Sequence, residues 1–401
     1  MSGPTQMTSR ERMDAAMRPR DGRLPDRVPV MCQLALGHYF LHAGDAVEIW
    51  HDTDAFAEAL VALQRRYRFD GILVNLPGRD PEWRRAVRSM EAPGSNRVIH
   101  WQNGRTTIIP PDDNPRATGA DGRAVTAPFD TIDPDRLFYV EPHDLAGLTY
   151  PTSWSCGTEP AEPGPDFFPA WHWDTLKRVR AAAPDVSVHG ELFSPFSQLM
   201  ELAGYTDVLG ALIRQPDKVA ACLDRLTEGA VLLARGHIAA GADAVLVSSA
   251  FAGASFLSPA HYRRFVLPYE RRLVDGLASV APGVPVYTHT CGAIGDRLEL
   301  MAETGTWGID TLDPPPLGTV DLADAKRRLG RRVFIKGNVD PVNTVLGGSA
   351  DACYEDACAR LDIAKPGGGY ILSTACSVAP DAPPANILAL TRAVETKGGY
   401  R

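Results

Sequence analysis

The 401-residue sequence lacks any long apolar run, and its first residues (Met1 to Gln6) lack the apolar core of a secretory signal. A helix needs roughly 20 consecutive apolar residues to cross a bilayer, and no stretch meets that requirement. We therefore expect a cytoplasmic protein with no membrane partner.

The sequence also lacks a concentration of charge of one sign. It has 41 lysines and arginines against 49 aspartates and glutamates, a net charge of −8, and the two signs are interspersed. Because a nucleic-acid-binding protein needs a basic stripe, we expect no nucleic-acid partner. The apolar fraction of 44% and the charged fraction of 22% are typical of a globular protein with a sizeable core.

Cysteines are few, odd in number and widely spaced. The seven are Cys32, Cys156, Cys222, Cys291, Cys353, Cys358 and Cys376. A secreted disulfide framework has closely spaced cysteines in even number, so this set indicates reduced thiols.

A histidine and a cysteine two positions apart occur in segment 288–292 (Thr-His-Thr-Cys-Gly), directly after the apolar run 284–287. On an extended segment, His289 and Cys291 project to the same side and can share a metal ion such as zinc. Cys376, at the end of another strand-like run, is the candidate third ligand. Three ligands with an open fourth position are typical of a catalytic metal site. The alternative is a satisfied buried histidine beside two small core residues.

Apolar runs alternate with helical patterns along most of the chain. Eight runs predict strands: 28–34, 71–75, 186–191, 244–249, 284–288, 308–312, 333–336 and 369–373. Eight parallel strands with intervening helices predict an α/β fold, the (β/α)8 TIM barrel. An open doubly wound sheet is the alternative, but no Gly-x-Gly-x-x-Gly follows the first strand.

We expect one barrel domain over 1–401, with an N-terminal extension over 1–26 and an insertion over 77–183 after the second strand. The insertion contains a predicted hairpin over 97–109 that turns at Asn103-Gly104. Its aromatic residues either line a pocket or receive a partner, or else cover the barrel or a homodimer interface. They are Trp101, Trp154, Phe167, Phe168, Trp171 and Trp173.

In such a barrel, polar residues that end the strands face one mouth, where the active site lies. Besides the three metal-ligand candidates, these strand ends carry several polar residues. We expect substrate binding from His38, Asn75, Ser248 and Asn338, and further roles at the mouth for Glu191, Asp313 and Asp340.

Five motifs in order resemble a known family. They are 241–244 (Gly-Ala-Asp-Ala), 257–269 (Leu-Ser-Pro to Leu-Pro-Tyr), 289–292 (His-Thr-Cys-Gly), 337–341 (Gly-Asn-Val-Asp-Pro) and 367–373 running to Cys376 and Pro380. From about 186 to 397 the chain resembles the uroporphyrinogen decarboxylase superfamily, most closely its zinc-dependent cobamide methyltransferase branch. The resemblance implies a (β/α)8 barrel and zinc ligands at His289, Cys291 and Cys376.

Two departures separate the chain from the decarboxylases of that superfamily. Those enzymes carry an arginine-rich segment after the first strand and a histidine near the end of the last, where this chain has 33–39 (Gln-Leu-Ala-Leu-Gly-His-Tyr) and Cys376. The resemblance thus implies zinc-dependent methyl transfer, from a methyl-corrinoid or other donor to a small-molecule acceptor, a thiol or a folate. No Asp-x-His-x-x-Gly corrinoid motif is present, so a corrinoid would come free or on a partner protein.

On this interpretation, Glu191 is a candidate fourth ligand in the absence of substrate, and a salt bridge at the mouth is the equal alternative. Asp313 and Asp340 are candidates to orient the metal-bound histidine, although we favour a turn role for Asp340. Two other functions stay open. One is a metal-free decarboxylase that would depend on Arg79, Arg105 and Arg116, and the other is a non-catalytic barrel that binds a corrinoid or thiol.

Overall fold

The protein is described here from a computed structural model that covers residues 6–122, 127–141 and 164–400. Seven parallel strands form one curled sheet, in which every strand pairs with the next barrel strand along the chain. The strands are β1 (Gly71–Val74), β6 (Ser187–Phe193), β7 (Ala244–Ser248), β8 (Val286–Thr290), β9 (Gly308–Thr311), β10 (Phe334–Val339) and β11 (Tyr370–Thr374). The predicted α/β barrel class is confirmed.

The first predicted strand, 28–34, closes the curled sheet without forming a regular strand. Met31 N donates to Leu372 O (3.0 Å) on one side, and Asp70 N donates to Val30 O (2.8 Å) on the other. Pro29 has no N–H to contribute to a continuous ladder. The segment therefore joins β11 to β1 through isolated contacts.

Helices follow most of the barrel strands and pack around them. The helices are α1 (Ser9–Met17), α2 (Leu36–His42), α3 (Ala46–His51), α4 (Thr53–Tyr67), α5 (Asp174–Ala182), α6 (Pro195–Ala203), α7 (Tyr205–Arg214), α8 (Pro216–Ala239), α9 (Pro259–Phe265), α10 (Leu267–Ala278), α11 (Leu298–Glu303), α12 (Leu322–Leu329), α13 (Ala350–Ala364) and α14 (Pro384–Lys397). Within the described ranges, every helix is too short or too polar to cross a bilayer.

Helix α1, in the predicted N-terminal extension, covers the end of the barrel at which the strands begin. Its Met13 and Met17 pack with lumen residues such as Leu246 and Phe334. Below them, the fully buried Asp70 accepts from Arg12 Nη1 at 2.7 Å and Arg27 Nη1 at 2.8 Å. The extension thus fills the base of the barrel.

The predicted insertion carries a second, antiparallel sheet of four strands: β2 (Val87–Glu91), β3 (Arg97–Trp101), β4 (Thr106–Ile109) and β5 (Arg116–Thr118). The hairpin of β3 and β4 turns at Asn103-Gly104, as predicted, with Gly104 at φ 84°. Trp101, Phe167 and Phe168 are buried in packed clusters, which favours the covering role for these three. Trp154 and Cys156 lie outside the described residues.

Candidate metal centre

Strand β8 aims His289 into the barrel lumen. Alternate residues of a strand face the same side, so Tyr287 and His289 both point inward. Tyr287 Oη lies 2.8 Å from His189 Nδ1 across the lumen. The strand extends through Thr290, two residues beyond the predicted end at 288, so His289 lies within it and only Cys291 follows it.

The three predicted metal ligands come together at the mouth of the barrel. His289 Nε2 lies 3.3 Å from Cys291 Sγ, and the Sγ atoms of Cys291 and Cys376 are 3.6 Å apart. All three ligand atoms lie within 4.8 Å of one another. Zinc bonds of about 2.0–2.3 Å in tetrahedral geometry place neighbouring ligand atoms about 3.3–3.8 Å apart. Their spacing and chemistry therefore fit one zinc ion, and no other such group of His, Cys, Asp and Glu occurs in the described ranges.

Asp310, which was not among the residues predicted from the sequence, orients the histidine of this cluster. Its Oδ2 lies 3.2 Å from His289 Nδ1. With Nδ1–H donated to that carboxylate, Nε2 is the ring nitrogen that faces the sulfurs and would bind a metal. Both Asp310 oxygens lie 3.0 Å from the ammonium of Lys336.

A strained turn at the end of β9 makes hydrogen bonds to the end of β8 and to the loop that follows β8. Thr311 and Leu312 have φ of 78° and 58°, in the left-handed region that such residues rarely adopt, at a cost of about 1–3 kcal/mol each. Thr311 Oγ1 donates to Thr290 O at 2.6 Å, and Asp313 Oδ2 accepts from Gly292 N at 2.6 Å. Asp313 thus holds the loop that carries Cys291 and does not orient the histidine ring, the role predicted for it from the sequence.

Asp340 likewise has another role than orienting His289. Its Oδ1 accepts from Val342 N and Asn343 N, both at 2.8 Å, and caps the short π-helix Pro341–Leu346. The carboxylate therefore serves the turn, which is the role we favoured from the sequence.

Two of the four predicted substrate-binding residues are committed to protein contacts. His38 is fully buried on α2, with Nδ1 2.8 Å from Pro380 O and Nε2 2.7 Å from Tyr67 Oη. Burial is the main cause that lowers the pKa of His38 to about 4. Asn338, also buried, donates to Leu312 O (2.8 Å) and accepts from Arg360 Nη1 (2.7 Å). Both side chains therefore stabilise the fold, and protein partners already occupy most of their hydrogen-bonding groups.

The other predicted mouth residues keep the positions expected of them. Asn75 directly follows β1, and its Oδ1 has no hydrogen-bond partner among the described residues. Ser248 ends β7 and is 5% exposed. Glu191 has the same strand parity as His189 and therefore faces the lumen, but its carboxylate is not part of the ligand group. Substrate binding by Asn75 and Ser248, and metal binding by Glu191, stay predictions.

Contacts within the cluster shift the pKa values of its own three residues. Burial alone would lower the pKa of His289, but Asp310 and Cys376 raise it to about 10. The hydrogen bond from Cys291, together with the imidazole of His289, outweighs burial and lowers the pKa of the Cys376 thiol to about 4. The same hydrogen bond, followed by burial, raises the pKa of Cys291. These contacts favour the thiolate of Cys376, the form in which cysteine binds a metal.

Burial also affects the carboxyl groups beside the cluster. It is the main cause that raises the pKa of Asp313 to about 6, and the negative Cys376 adds to it against the opposing Gly292 N–H. Burial would raise the pKa of Asp310 too, but Lys336 and His289 lower it. Asp310 therefore stays a carboxylate and can accept from the histidine.

Comparison with known proteins gives two results. Residues 163–397 match the sequence profile of the uroporphyrinogen decarboxylase (URO-D) family. A uroporphyrinogen decarboxylase of Sodalis glossinidius is 33% identical over 217 residues, which cover 52% of this chain and 58% of that protein. One from Shewanella amazonensis is 43% identical over 123 residues, 30% of this chain and 32% of the relative. The chain spans about half the length of the first curated relatives it matches.

Among solved structures, a methyltransferase from Methanosarcina mazei superposes with a TM-score of 0.69. The superposition covers 97% of this chain and 99% of that one at 18% sequence identity. At this identity the likeness concerns the fold, and it extends through the predicted insertion.

Proposed function

Because this chain belongs to the uroporphyrinogen decarboxylase family and carries a His-Cys-Cys cluster at its barrel mouth, we propose that it is a zinc-dependent methyltransferase acting on a small thiol. The observation that carries the proposal is the cluster itself, with Cys291 and Cys376 Sγ atoms 3.6 Å apart beside His289. Two thiolates and one imidazole are ligands that zinc prefers. All three lie in the region that matches the family.

Each residue of the site has a defined task on this proposal. His289, Cys291 and Cys376 would hold the ion, with the histidine ring fixed by Asp310 and the Cys291 loop fixed by Asp313. When bound, zinc would supply a Lewis acid that keeps the sulfur of an acceptor thiol deprotonated and nucleophilic at neutral pH. The acceptor sulfur would form the new S–C bond, and the donor would keep the electron pair of the bond it loses. A methyl-corrinoid, free or on a partner protein, suits that donor role.

The acceptor would approach from the mouth, past the ends of the neighbouring strands. Asn75 presents a side-chain oxygen without a described partner, and Ser248 lies at the end of β7 next to β8. These side chains would orient the acceptor, while the barrel wall limits the access of water. Glu191 faces the same lumen and is the candidate to occupy the fourth position when the acceptor is absent.

Decarboxylation is the second candidate, because the curated relatives are named uroporphyrinogen decarboxylases. Binding a polycarboxylic acid requires cationic groups at the mouth. Arg79 is buried with its Nε bonded to Trp50 O, and Arg116 pairs with Asp113 at the surface. Arg105 is buried in the insertion. A decarboxylase also has no evident use for two thiolates beside a histidine, so we favour methyl transfer.

The test compares the two reactions in one preparation. Zinc-loaded protein is incubated with methylcobalamin and a panel of small thiols, with a reduced folate as the other acceptor, and the methylated product is identified by mass spectrometry. We expect a thioether, a loss of at least about 100-fold in rate in Cys376→Ala, and an unchanged rate in Cys358→Ala, a cysteine on α13 away from the cluster. Release of carbon dioxide from uroporphyrinogen at equal rates in wild type and Cys376→Ala would overturn the proposal. Binding of methylcobalamin and thiol without turnover would also contradict it, in favour of a carrier.

A further inference from the structure

Two opposite charges are buried side by side in the barrel lumen. Lys336 on β10 and Asp310 on β9 are register partners, 2% and 1% exposed. The Lys336 ammonium lies 3.0 Å from each Asp310 oxygen and 3.2 Å from Ser373 Oγ on β11. Burying a lysine carries a large desolvation cost, and an apolar pair of similar size would fill the space without that cost. Such a pair calls for a role beyond packing.

The pair connects directly to the metal cluster. Asp310 Oδ1 accepts from Lys336 and from Thr311 N (2.8 Å), while Oδ2 faces Lys336 and His289 Nδ1. With both oxygens held from two sides, the carboxylate cannot rotate. The position of the imidazole is therefore set by a chain of contacts that runs from Ser373 through Lys336 and Asp310 to His289.

Lys336 also affects the net charge of the proposed metal site. A zinc ion with two cysteine thiolates and a neutral histidine carries no net charge. The Asp310 carboxylate alone would add one negative charge to this buried site, where charges interact strongly. The Lys336 ammonium cancels it, so that the protein can use a carboxylate to orient His289 without making the cluster anionic.

We propose that Lys336 is a positioning residue of the metal centre, which acts through Asp310 to fix the ring of His289 and to balance its charge. The inference rests on the zinc-binding part of the proposed function and does not depend on which methyl donor or acceptor is used. Without Lys336, Asp310 becomes an unpaired buried charge that takes up a proton or turns away. In either case it no longer holds the histidine.

The experiment measures metal binding and the spectrum of the metal site, and it does not depend on catalytic activity. Zinc affinity is determined by competition with a chromophoric chelator, and the cobalt(II)-substituted protein is examined by visible absorption. We expect Asp310→Asn and Lys336→Met each to lower zinc affinity by about 10–100-fold and to change the cobalt(II) d–d bands. Lys336→Arg, which keeps the charge, should recover most of both. The zinc affinity of the double variant should be little lower than that of the worse single variant, because Asp310 and Lys336 act through one chain of contacts.

Two matched variants control for general damage. Lys326→Met removes a half-buried lysine whose ammonium bonds the carbonyl of Gly368, and Asp340→Asn removes a mouth carboxylate that caps a helix. Both should leave the zinc affinity within about twofold and the cobalt(II) spectrum unchanged. Melting temperatures of the metal-free proteins show which variants fold.

Wild-type zinc affinity and cobalt(II) bands in folded Lys336→Met would overturn the inference, as would additive losses in the double variant. If Lys336→Met does not fold, Ser373→Ala decides, since it removes only the hydroxyl that accepts from Lys336. We then expect a loss of a few-fold in affinity with altered bands, and unchanged values would overturn the inference. Wild-type protein that binds zinc normally but transfers no methyl group would end the methyltransferase proposal and leave this inference standing.

Discussion

The sulfur atoms of Cys291 and Cys376 lie 3.6 Å apart, although 85 positions separate the two residues in the chain. This distance is much longer than a disulfide bond of about 2.0 Å and agrees with two ligands of one tetrahedral ion. The loop after β8 and the end of β11 thus converge on a single point at the barrel mouth.

The first prediction concerns metal content. Protein purified without chelator should contain about one zinc per chain, measured by inductively coupled plasma mass spectrometry. The content should fall at least about tenfold in Cys291→Ser and in Cys376→Ser, because a serine hydroxyl is a poor zinc ligand. Cys358→Ser, a partly exposed cysteine on α13, should keep the wild-type content. Full zinc content in both ligand variants would mean that the ion, if any, binds elsewhere.

The second prediction concerns pH and Glu270, a buried residue of α10. The hydroxyls of Ser249 and Tyr262 lie near its carboxyl group, but neither makes a hydrogen bond of good geometry. Burial is the main cause that raises the pKa of Glu270 from 4.5 to about 7. The folded protein therefore keeps a proton on this group that the unfolded chain releases near pH 4.5, and stability is lost as the pH rises through about 7.

Replacing Glu270 by glutamine should remove this dependence. Between pH 5 and pH 8, the free energy of unfolding of the wild type should fall by about 2–3 kcal/mol relative to Glu270→Gln. Urea denaturation at both pH values, with zinc held constant, measures the difference, and titration of the metal ligands cancels in it. Glu303→Gln, at an exposed ion pair with Arg263, should follow the wild type. An equal change in unfolding free energy between the two pH values in wild type and Glu270→Gln would refute this explanation.

The third prediction concerns the base of the barrel. Asp70 is fully buried and accepts from Arg12, Arg27, Ser9 Oγ and Val30 N. Asp70→Asn removes the buried carboxylate that accepts from Arg12 and Arg27, so that Arg27 loses its carboxylate and Arg12 keeps only Asp26. We expect a loss of about 3 kcal/mol in unfolding free energy. Asp14→Asn breaks a more exposed pair with Arg18 and should cost under about 0.5 kcal/mol. Equal losses in the two variants would show that the cluster does not secure the N-terminal segment.

The barrel could be predicted from the sequence because its strands are separate apolar runs in a regular order. The run 28–34 had the composition of a strand, but Pro29 prevents a continuous ladder there, and its pairing with Leu372 depends on residues more than 300 positions away. The spacing of His289 and Cys291 predicted only that both project to the same side, and their placement at a strand end made them candidate metal ligands. Cys376 followed from its place at the end of another strand.

Other features of the site depended on contacts between distant residues. His38 was predicted at an open mouth, yet its ring is enclosed by Tyr67 and Pro380, which no local pattern indicates. Asp310 and Lys336 were not predicted as site residues, and both lie within strands, in β9 and β10. A signal was present, since an acidic and a basic residue interrupt two consecutive apolar strands, where buried charges are rare unless paired.

In the proposed zinc site, the division of the ligands between β8 and β11 would also determine when the metal can be bound during biosynthesis. The ribosome makes the His289-Cys291 pair first, but two donors alone form a weak site in an unfolded chain. Cys376 reaches them only when β11 has been made and has paired with β10, after closure of a loop of 85 residues. Stable metal uptake would therefore mark the completion of the barrel, and a nascent chain truncated before residue 370 should have no tight site.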